Sequence, residues 1–247
     1  MRYALEPIVP ISGQGRSGRT EWWELLYRGG RRSATGQLCA TPAEWRDWYA
    51  MIPAILDSIL AQHADIRLSV NVSTYQLLDS KIRSNLVELA TRGVHLALEW
   101  TEDPLALDPL PGKRAAADFL TDLRTRFGVV LGIDDVGAGD DGIGRMILLD
   151  TPPDFVKLDG SVLHAVRVRC GHEALVAEQI RAFRRLDVQV VGEHIENVGQ
   201  LQLARRLGLN YAQGFLFTRR LDGPIVSDSV GDVETRSRET VNNGRAC

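Results

Sequence analysis

A chain of 247 residues is long for a single sandwich and typical of one α/β barrel. Hydrophobic residues make up 44% and charged residues 25%, as in ordinary globular proteins, and a formal charge of -3 gives no electrostatic footprint for DNA or an anionic membrane. No apolar run approaches the roughly 18 residues of a membrane span, no signal-peptide pattern is present, and three scattered cysteines suggest neither a disulfide framework nor a zinc site, so a cytoplasmic setting is expected.

Residues 3–9 read as a short strand, and residues 12–18 as a turn by composition. Residues 20–28 alternate, with Trp22, Glu24, Leu26 and Arg28 on one strand face and Trp23, Leu25 and Tyr27 on the other. Charges among such large apolar residues need a partner or a task, unless this is a solvent-facing edge. Thr41-Pro-Ala-Glu44 is a capping box with proline at the first helical position. Trp45, Trp48, Ile52, Ile55 and Ile59 follow at helical spacing, and Pro53 is expected to kink or split that helix. Residues 66–72 form a strand ending at Asn71. A second capping box, Ser73-Thr-Tyr-Gln76, opens a helix with the stripe Leu78, Ile82, Leu86 and Leu89, closed by Gly93.

Residues 94–100 form a strand with Glu99 at its end, and 113–127 a helix with Ala116, Phe119, Leu123 and Phe127 in register. Residues 129–133 are a β-branched apolar run that ends in Asp134 and Asp135, followed by a loop whose Gly137 and Gly139 permit a tight turn. The two acids could hold a cation, or simply end the strand and cap the next helix. Residues 141–149 read as a weaker helix, 154–159 as a strand with Phe155, Lys157 and Asp159 on one face, and 172–186 as a helix. A strand at 188–192 ends at Glu193. Asn197-Val-Gly-Gln200 is a third capping box, and its helix runs to Leu207 with Gly208 after it. Residues 211–217 form a last strand carrying Gln213. Beyond Asp222 the chain is polar and aperiodic, so the domain is expected over 1–221 with a mobile tail at 222–247.

This alternation of strands and helices predicts parallel strands with covered faces, closed into a (β/α)8 barrel. Glu24, Asn71, Glu99, Asp134, Asp135, Lys157, Asp159, Glu193 and Gln213 all fall at or near carboxyl ends of strands, where a barrel places its active site. Two like charges about 4 Å apart near a protein surface repel by roughly 4 kcal/mol. Several such pairs would exceed a domain's whole stability, so the acids must protonate or bind cations. Oxygen ligands without clustered Cys or His suit Mg²⁺ or Mn²⁺ and disfavour zinc. So many acids suggest two ions, the arrangement that clamps attacking and leaving oxygens in phosphodiester cleavage. Lys157 is one of three lysines among 29 basic residues, a scarce choice inside a strand.

At these residues the chain resembles the EAL-domain cyclic di-GMP phosphodiesterases, over roughly residues 3–221. The Glu-Ala-Leu motif is matched by Glu24-Leu25-Leu26 with Arg28 after it, Asn-x-Ser by Asn71-Val-Ser73, and Glu-x-Thr-Glu by Glu99-Trp-Thr-Glu102. Asp-Asp-Phe-Gly-Thr-Gly is matched by Asp134-Asp-Val-Gly-Ala-Gly139, Lys-x-Asp by Lys157-Leu-Asp159, Glu-Gly-Val-Glu by Glu193-His-Ile-Glu196, and Gln-Gly-Tyr by Gln213-Gly-Phe215. The resemblance implies an α/β fold, a modified TIM (β/α)8 barrel with the first strand antiparallel. It implies a first metal on Glu24, Asn71, Glu99 and Asp134, and a second on Asp134, Asp135, Asp159 and Glu193. Lys157 would orient or deprotonate the attacking water, Arg28 would contact a phosphate, Glu102 would hold the loop after Asp135, and Glu196 and Gln213 would support substrate and metals. The implied reaction is hydrolysis of cyclic di-GMP to linear pGpG. The resemblance also leaves room for a homodimer through the barrel and for a protein partner.

The chain departs from the family at several of these positions. Glu6-Pro-Ile8 stands for Gln-Pro-Ile, His194 for a glycine and Arg220 for a proline. The loop Val136-Gly-Ala-Gly-Asp-Asp-Gly-Ile143 lacks the Thr and Ser hydroxyls of the family loop and adds Asp140 and Asp141. The ligand set argues for catalysis and the loop for weak turnover. A cyclic di-GMP receptor, a protein-binding adaptor and an aldolase-type barrel with a Schiff base on Lys157 stand as alternatives. The last of these leaves the carboxylates unexplained.

Overall fold

The computed structural model describes residues 3–12, 22–29, 31–32, 38–61, 66–92, 95–102, 110–137, 142–168 and 171–217. The strands in chain order are β1 (Tyr3–Pro10), β2 (Trp22–Tyr27), the small pair β3 (Arg31–Arg32) and β4 (Leu38–Cys39), β5 (Arg67–Ser73), β6 (His95–Thr101), β7 (Val130–Val136), β8 (Phe155–Leu158), β9 (Gln189–Gly192) and β10 (Tyr211–Ala212). All but β3 and β4 close into one barrel in the order β1-β10-β9-β8-β7-β6-β5-β2. β1 is antiparallel to both neighbours, and every other barrel pairing is parallel, as expected. The reason is connection length. Parallel neighbours need a crossover of a dozen or more residues, and fewer than that separate Pro10 from Trp22.

The helices are α1 (Pro42–Leu60), α2 (Thr74–Leu77), α3 (Ser80–Thr91), α4 (Leu110–Phe127), α5 (Gly142–Leu148), α6 (Gly160–Val168), α7 (His172–Arg185) and α8 (Val198–Leu207). The three expected capping boxes form, on Thr41, Ser73 and Asn197, and Gly208 closes α8 in the left-handed region at φ 85°. α1 runs unbroken through Pro53, which is buried, so the expected split does not occur. The helix expected after Ser73 is instead two, because Asp79 accepts bonds from the amides of Lys81 and Ile82 and starts a new helix. α6 was not anticipated. The last strand is shorter than expected. Gly214 at φ 143° lies so close to Ile195 that a Cβ would be 2.3 Å from its nitrogen, and the chain turns there instead. The composition-based turn at 12–18, Gly93, loop residues 138–141, Arg220 and the tail fall wholly or largely outside the described residues.

Two apolar bodies hold this shell together. The larger lies between strands and helices, built from residues such as Leu68, Val70, Leu98, Leu120, Ile133 and Val156. The smaller fills the barrel interior with Ile8, Trp22, Ala97, Phe155 and Val191. Trp22 meets Phe155 edge-on at 4.4 Å between centroids. Gly132 is required beside them, since a Cβ there would lie 2.1 Å from the Phe155 ring.

Candidate metal centre

Period-two alternation puts residues i and i+2 of a strand on the same face. The apolar interior layer is therefore followed, two residues closer to the carboxyl ends, by a polar one. Trp22 leads to Glu24, Ala97 to Glu99, Gly132 to Asp134, Phe155 to Lys157, and Val191 to Glu193. β1 runs the other way, so Ile8 pairs with Trp22 and Glu6 with Glu24.

Lys157 stands at the centre of this layer, 2% exposed. Its Nζ is 2.7 Å from Glu193 Oε1, 2.9 Å from Glu99 Oε2, 3.2 Å from Glu24 Oε2 and 3.3 Å from Asp134 Oδ1. Asn71 and Gln213 donate to Glu24, and Ser69 donates to Glu99. Burial by itself would lower the Lys157 pKa, but Asp134, Glu193, Glu24 and Glu99 together raise it well above its ordinary value. Burial raises Glu24 too, yet Lys157, Gln213 and Asn71 overcome this and hold it low. The same lysine also favours ionisation of the others, but there it does not overcome burial and the neighbouring acids. Burial, then the Glu24 charge, pushes Glu99 up to about 8. Burial, then Asp134, pushes Asp135 up to about 6, and burial lifts Glu193 well above the carboxylate range.

One ammonium has three protons and here faces four carboxylates. The result is unmet acceptor capacity. Among the described residues, the buried side-chain oxygens without a hydrogen bond are Asn71 Oδ1, Glu99 Oε2, Asp134 Oδ1, Glu193 Oε2 and Gln213 Oε1. All five belong to this face, and two of them, Glu99 Oε2 and Asp134 Oδ1, have only the charge of the shared ammonium nearby. Buried acceptors normally find partners, and a set made only of oxygens fits a hard divalent cation. Asp134, Asp135 and Glu193 each offer an oxygen within 4.8 Å of the others. Asp135 reaches that position from a left-handed backbone, φ 56°, at an irregularity in the β7–β8 register between Ile133 and Val136.

The remaining expected residues are placed less uniformly. Asp159 caps the start of α6 by accepting from Ser161 N at 2.7 Å and faces His194 Nδ1 at 3.6 Å, apart from the three-carboxylate group. Arg28 pairs with Glu6 at 3.0 Å. Gln213 reaches Glu6 Oε2 at 3.4 Å as well as Glu24. Glu196 is exposed on the approach to α8. Glu102 lies 3.5 Å from the guanidinium of Arg145. Arg145, 2% exposed, is not foreseen from the sequence: in an arginine-rich chain one more arginine on a weak helix carries no signal.

The EAL domain family model matches residues 49–220. The bifunctional diguanylate cyclase/cyclic di-GMP phosphodiesterase MucR of Pseudomonas aeruginosa is 30% identical over 173 residues, 68% of this chain and 24% of that protein. The cyclic di-GMP phosphodiesterase PdeB of Shewanella oneidensis is 26% identical over 231 residues, 85% of this chain and 26% of that protein. The chain thus spans about a quarter of the length of these curated relatives. In fold it is similar to the EAL-domain protein YkuI of Bacillus subtilis in complex with cyclic di-GMP and calcium, with a TM-score of 0.69 at 20% identity over 96% of this chain and 60% of that one. The EAL domain of Mycobacterium smegmatis DcpA gives 0.61 at 23% identity, covering 96% of each chain. With the family model matching well over half of its length, this chain belongs to the EAL-domain family.

Proposed function

We propose that this chain is a metal-dependent phosphodiesterase that hydrolyses cyclic di-GMP to linear pGpG, with weak turnover. The observation that carries this reading is the convergence of five buried acceptor oxygens without hydrogen bonds around Lys157 at one end of the barrel. Glu24, Asn71, Glu99 and Asp134 would hold one Mg²⁺ or Mn²⁺, and Asp134, Asp135 and Glu193, with Asp159 at their edge, a second. Bound there, the ions would supply Lewis-acid activation of water and of the phosphate oxygens. Lys157 would act as a positively charged donor that orients the attacking water, because its surroundings keep the proton on it. The same charge disfavours a Schiff base, which requires a neutral amine. Arg28 would bind a phosphate oxygen after exchanging its partner Glu6 for the ligand. Gln213 and Glu196 would support the nucleotide side, and Glu102 would hold the loop after Asp135.

Incubation with cyclic di-GMP and Mg²⁺ or Mn²⁺, with products separated by chromatography and a chelator control, tests the reading. Accumulation of pGpG that the chelator stops supports it; binding without product makes the chain a receptor. The receptor reading is favoured by Glu6, which occupies Arg28, and by the extra acids Asp140 and Asp141. A loop repair separates the two: Ala138→Thr with Asp140→Tyr and Asp141→Ser should raise a weak rate severalfold. Gly142 is left out of that repair, because a Cβ there would lie 3.2 Å from Val136 Cα.

A further inference from the structure

A guanidinium as buried as Arg145 is costly unless its protons meet acceptors. It donates to the carbonyl oxygen of Trp100 at the carboxyl end of β6 and, at 2.9 Å, to the carbonyl oxygen of Asp134 on β7. The carboxylate of Glu102 supplies the countercharge at 3.5 Å. Trp100 follows Glu99, and Asp134 precedes Asp135, so one side chain on α5 grips the backbone of two strands at the residues that present three candidate ligands. A second contact works alongside it. Gly142, the first residue of α5, packs closely on Val136, the last of β7, where a Cβ would lie 3.2 Å from the Val136 Cα.

We propose that Arg145 is a positioning residue: with Glu102 it clasps β6, β7 and α5 together and thereby fixes the Asp134-Asp135 corner for metal binding. This rests on the metal-dependent reading above and gives it a specific support. The family-like hydroxyls are absent from residues 138–141, but the segment is pinned at both ends, by Asp134 O to Arg145 and by Val136 against Gly142. A guanidinium suits this task because its fixed fork of five donors can reach two carbonyls and a carboxylate at once, which an ammonium on a flexible stem does not reproduce. Side chains that orient metal ligands from behind typically account for about 10–100-fold in affinity.

The test uses the full chain and three variants, Arg145→Met, Arg145→Lys and Glu102→Gln. Mn²⁺ affinity is measured by electron paramagnetic resonance of the free ion, and hydrogen exchange is followed by mass spectrometry without metal. Arg145→Met should speed exchange in peptides covering 134–149 while those covering β1, β9 and β10 stay protected, and should weaken Mn²⁺ binding about 10–100-fold. Arg145→Lys should recover part of the affinity, and Glu102→Gln should show the same pattern more weakly. If Arg145→Met does not fold, the other two variants carry the comparison. Unchanged exchange at 134–149, or exchange raised uniformly across the barrel, would overturn the clasp. Unchanged Mn²⁺ affinity beside locally faster exchange would overturn its positioning role. Absence of Mn²⁺ binding by the unaltered chain sinks the metal reading instead, and the exchange pattern still judges the clasp.

Discussion

The two layers inside the barrel lie one strand step apart and obey opposite rules. Ile8, Trp22, Ala97, Phe155 and Val191 are packed apolar groups whose association requires nothing outside the chain. Two residues further on, Glu24, Glu99, Asp134, Lys157 and Glu193 are nearly as sealed from water but are left with excess negative charge and oxygens without hydrogen bonds. The same strands and the same inward direction therefore produce a self-sufficient floor and a face whose acceptors the surrounding side chains do not fully satisfy. The lesson is that burial by itself does not mark a core. What distinguishes the layers is whether the chain's own atoms satisfy what they bury.

The comparison is most sharply broken at Lys157. Removing the one cation from the charged layer by Lys157→Ala should abolish cleavage and destabilise the metal-free chain by roughly 3–5 kcal/mol, because it strands buried acids. Denaturation and product assays on one preparation check this; loss of stability with full activity would leave Lys157 a purely structural ion. Next, divalent metal should stabilise the charged layer by mass action, about 2.7 kcal/mol at a hundredfold excess over the dissociation constant. Melting temperature should rise with Mn²⁺ or Mg²⁺ in the unaltered chain and fail to rise in Glu24→Gln or Asp134→Asn.

A third effect is on pH. Asp135 at about 6 and Glu99 at about 8 bind protons more tightly folded than unfolded, where their ordinary values are 3.8 and 4.5. The folded chain then carries more bound protons, so metal-free stability should fall as pH rises from about 5 to 8. Glu24, whose pKa is lowered, has the opposite sign, but its contribution is already complete above its unfolded value and is lost only as pH falls into the acid range. Melting curves across that window, with and without Mn²⁺, should diverge most at pH 8. A metal-free melting temperature that climbs with pH would contradict the assignment.

The apolar layer should respond differently. Gly132→Ala forces a methyl into the Phe155 ring and should cost about 1–3 kcal/mol, with the metal-induced rise in melting temperature retained. A rise lost together with stability would mean that the layers are not separable. The smallest effect is expected at His194, whose φ of 52° is left-handed. Glycine adopts that region without the penalty of about 1–2 kcal/mol that a side chain incurs. His194→Gly should raise stability by up to about 1 kcal/mol, partly offset by the greater freedom of the unfolded chain. A fall instead would mean that the His194–Asp159 contact outweighs the backbone strain.

Much of this was local chemistry and so legible in the sequence. Capping boxes at Thr41, Ser73 and Asn197 are satisfied within four residues, and the alternation in β2 that brings Glu24 inward is a period-two pattern. Strand ends marked by acids predicted the face where these polar side chains gather, with Lys157 among them. Tertiary packing decided the rest. Pro53 stays inside α1, and β10 stops where Gly214 meets Ile195. Lys157 faces Glu24, 133 residues away, rather than nearby Asp159, because barrel closure, and not sequence distance, chooses ion-pair partners. Arg145 is the extreme case. Its acceptors are two backbone carbonyls, which every residue possesses, so no pattern of side chains could announce that one arginine among many would be buried behind the paired aspartates.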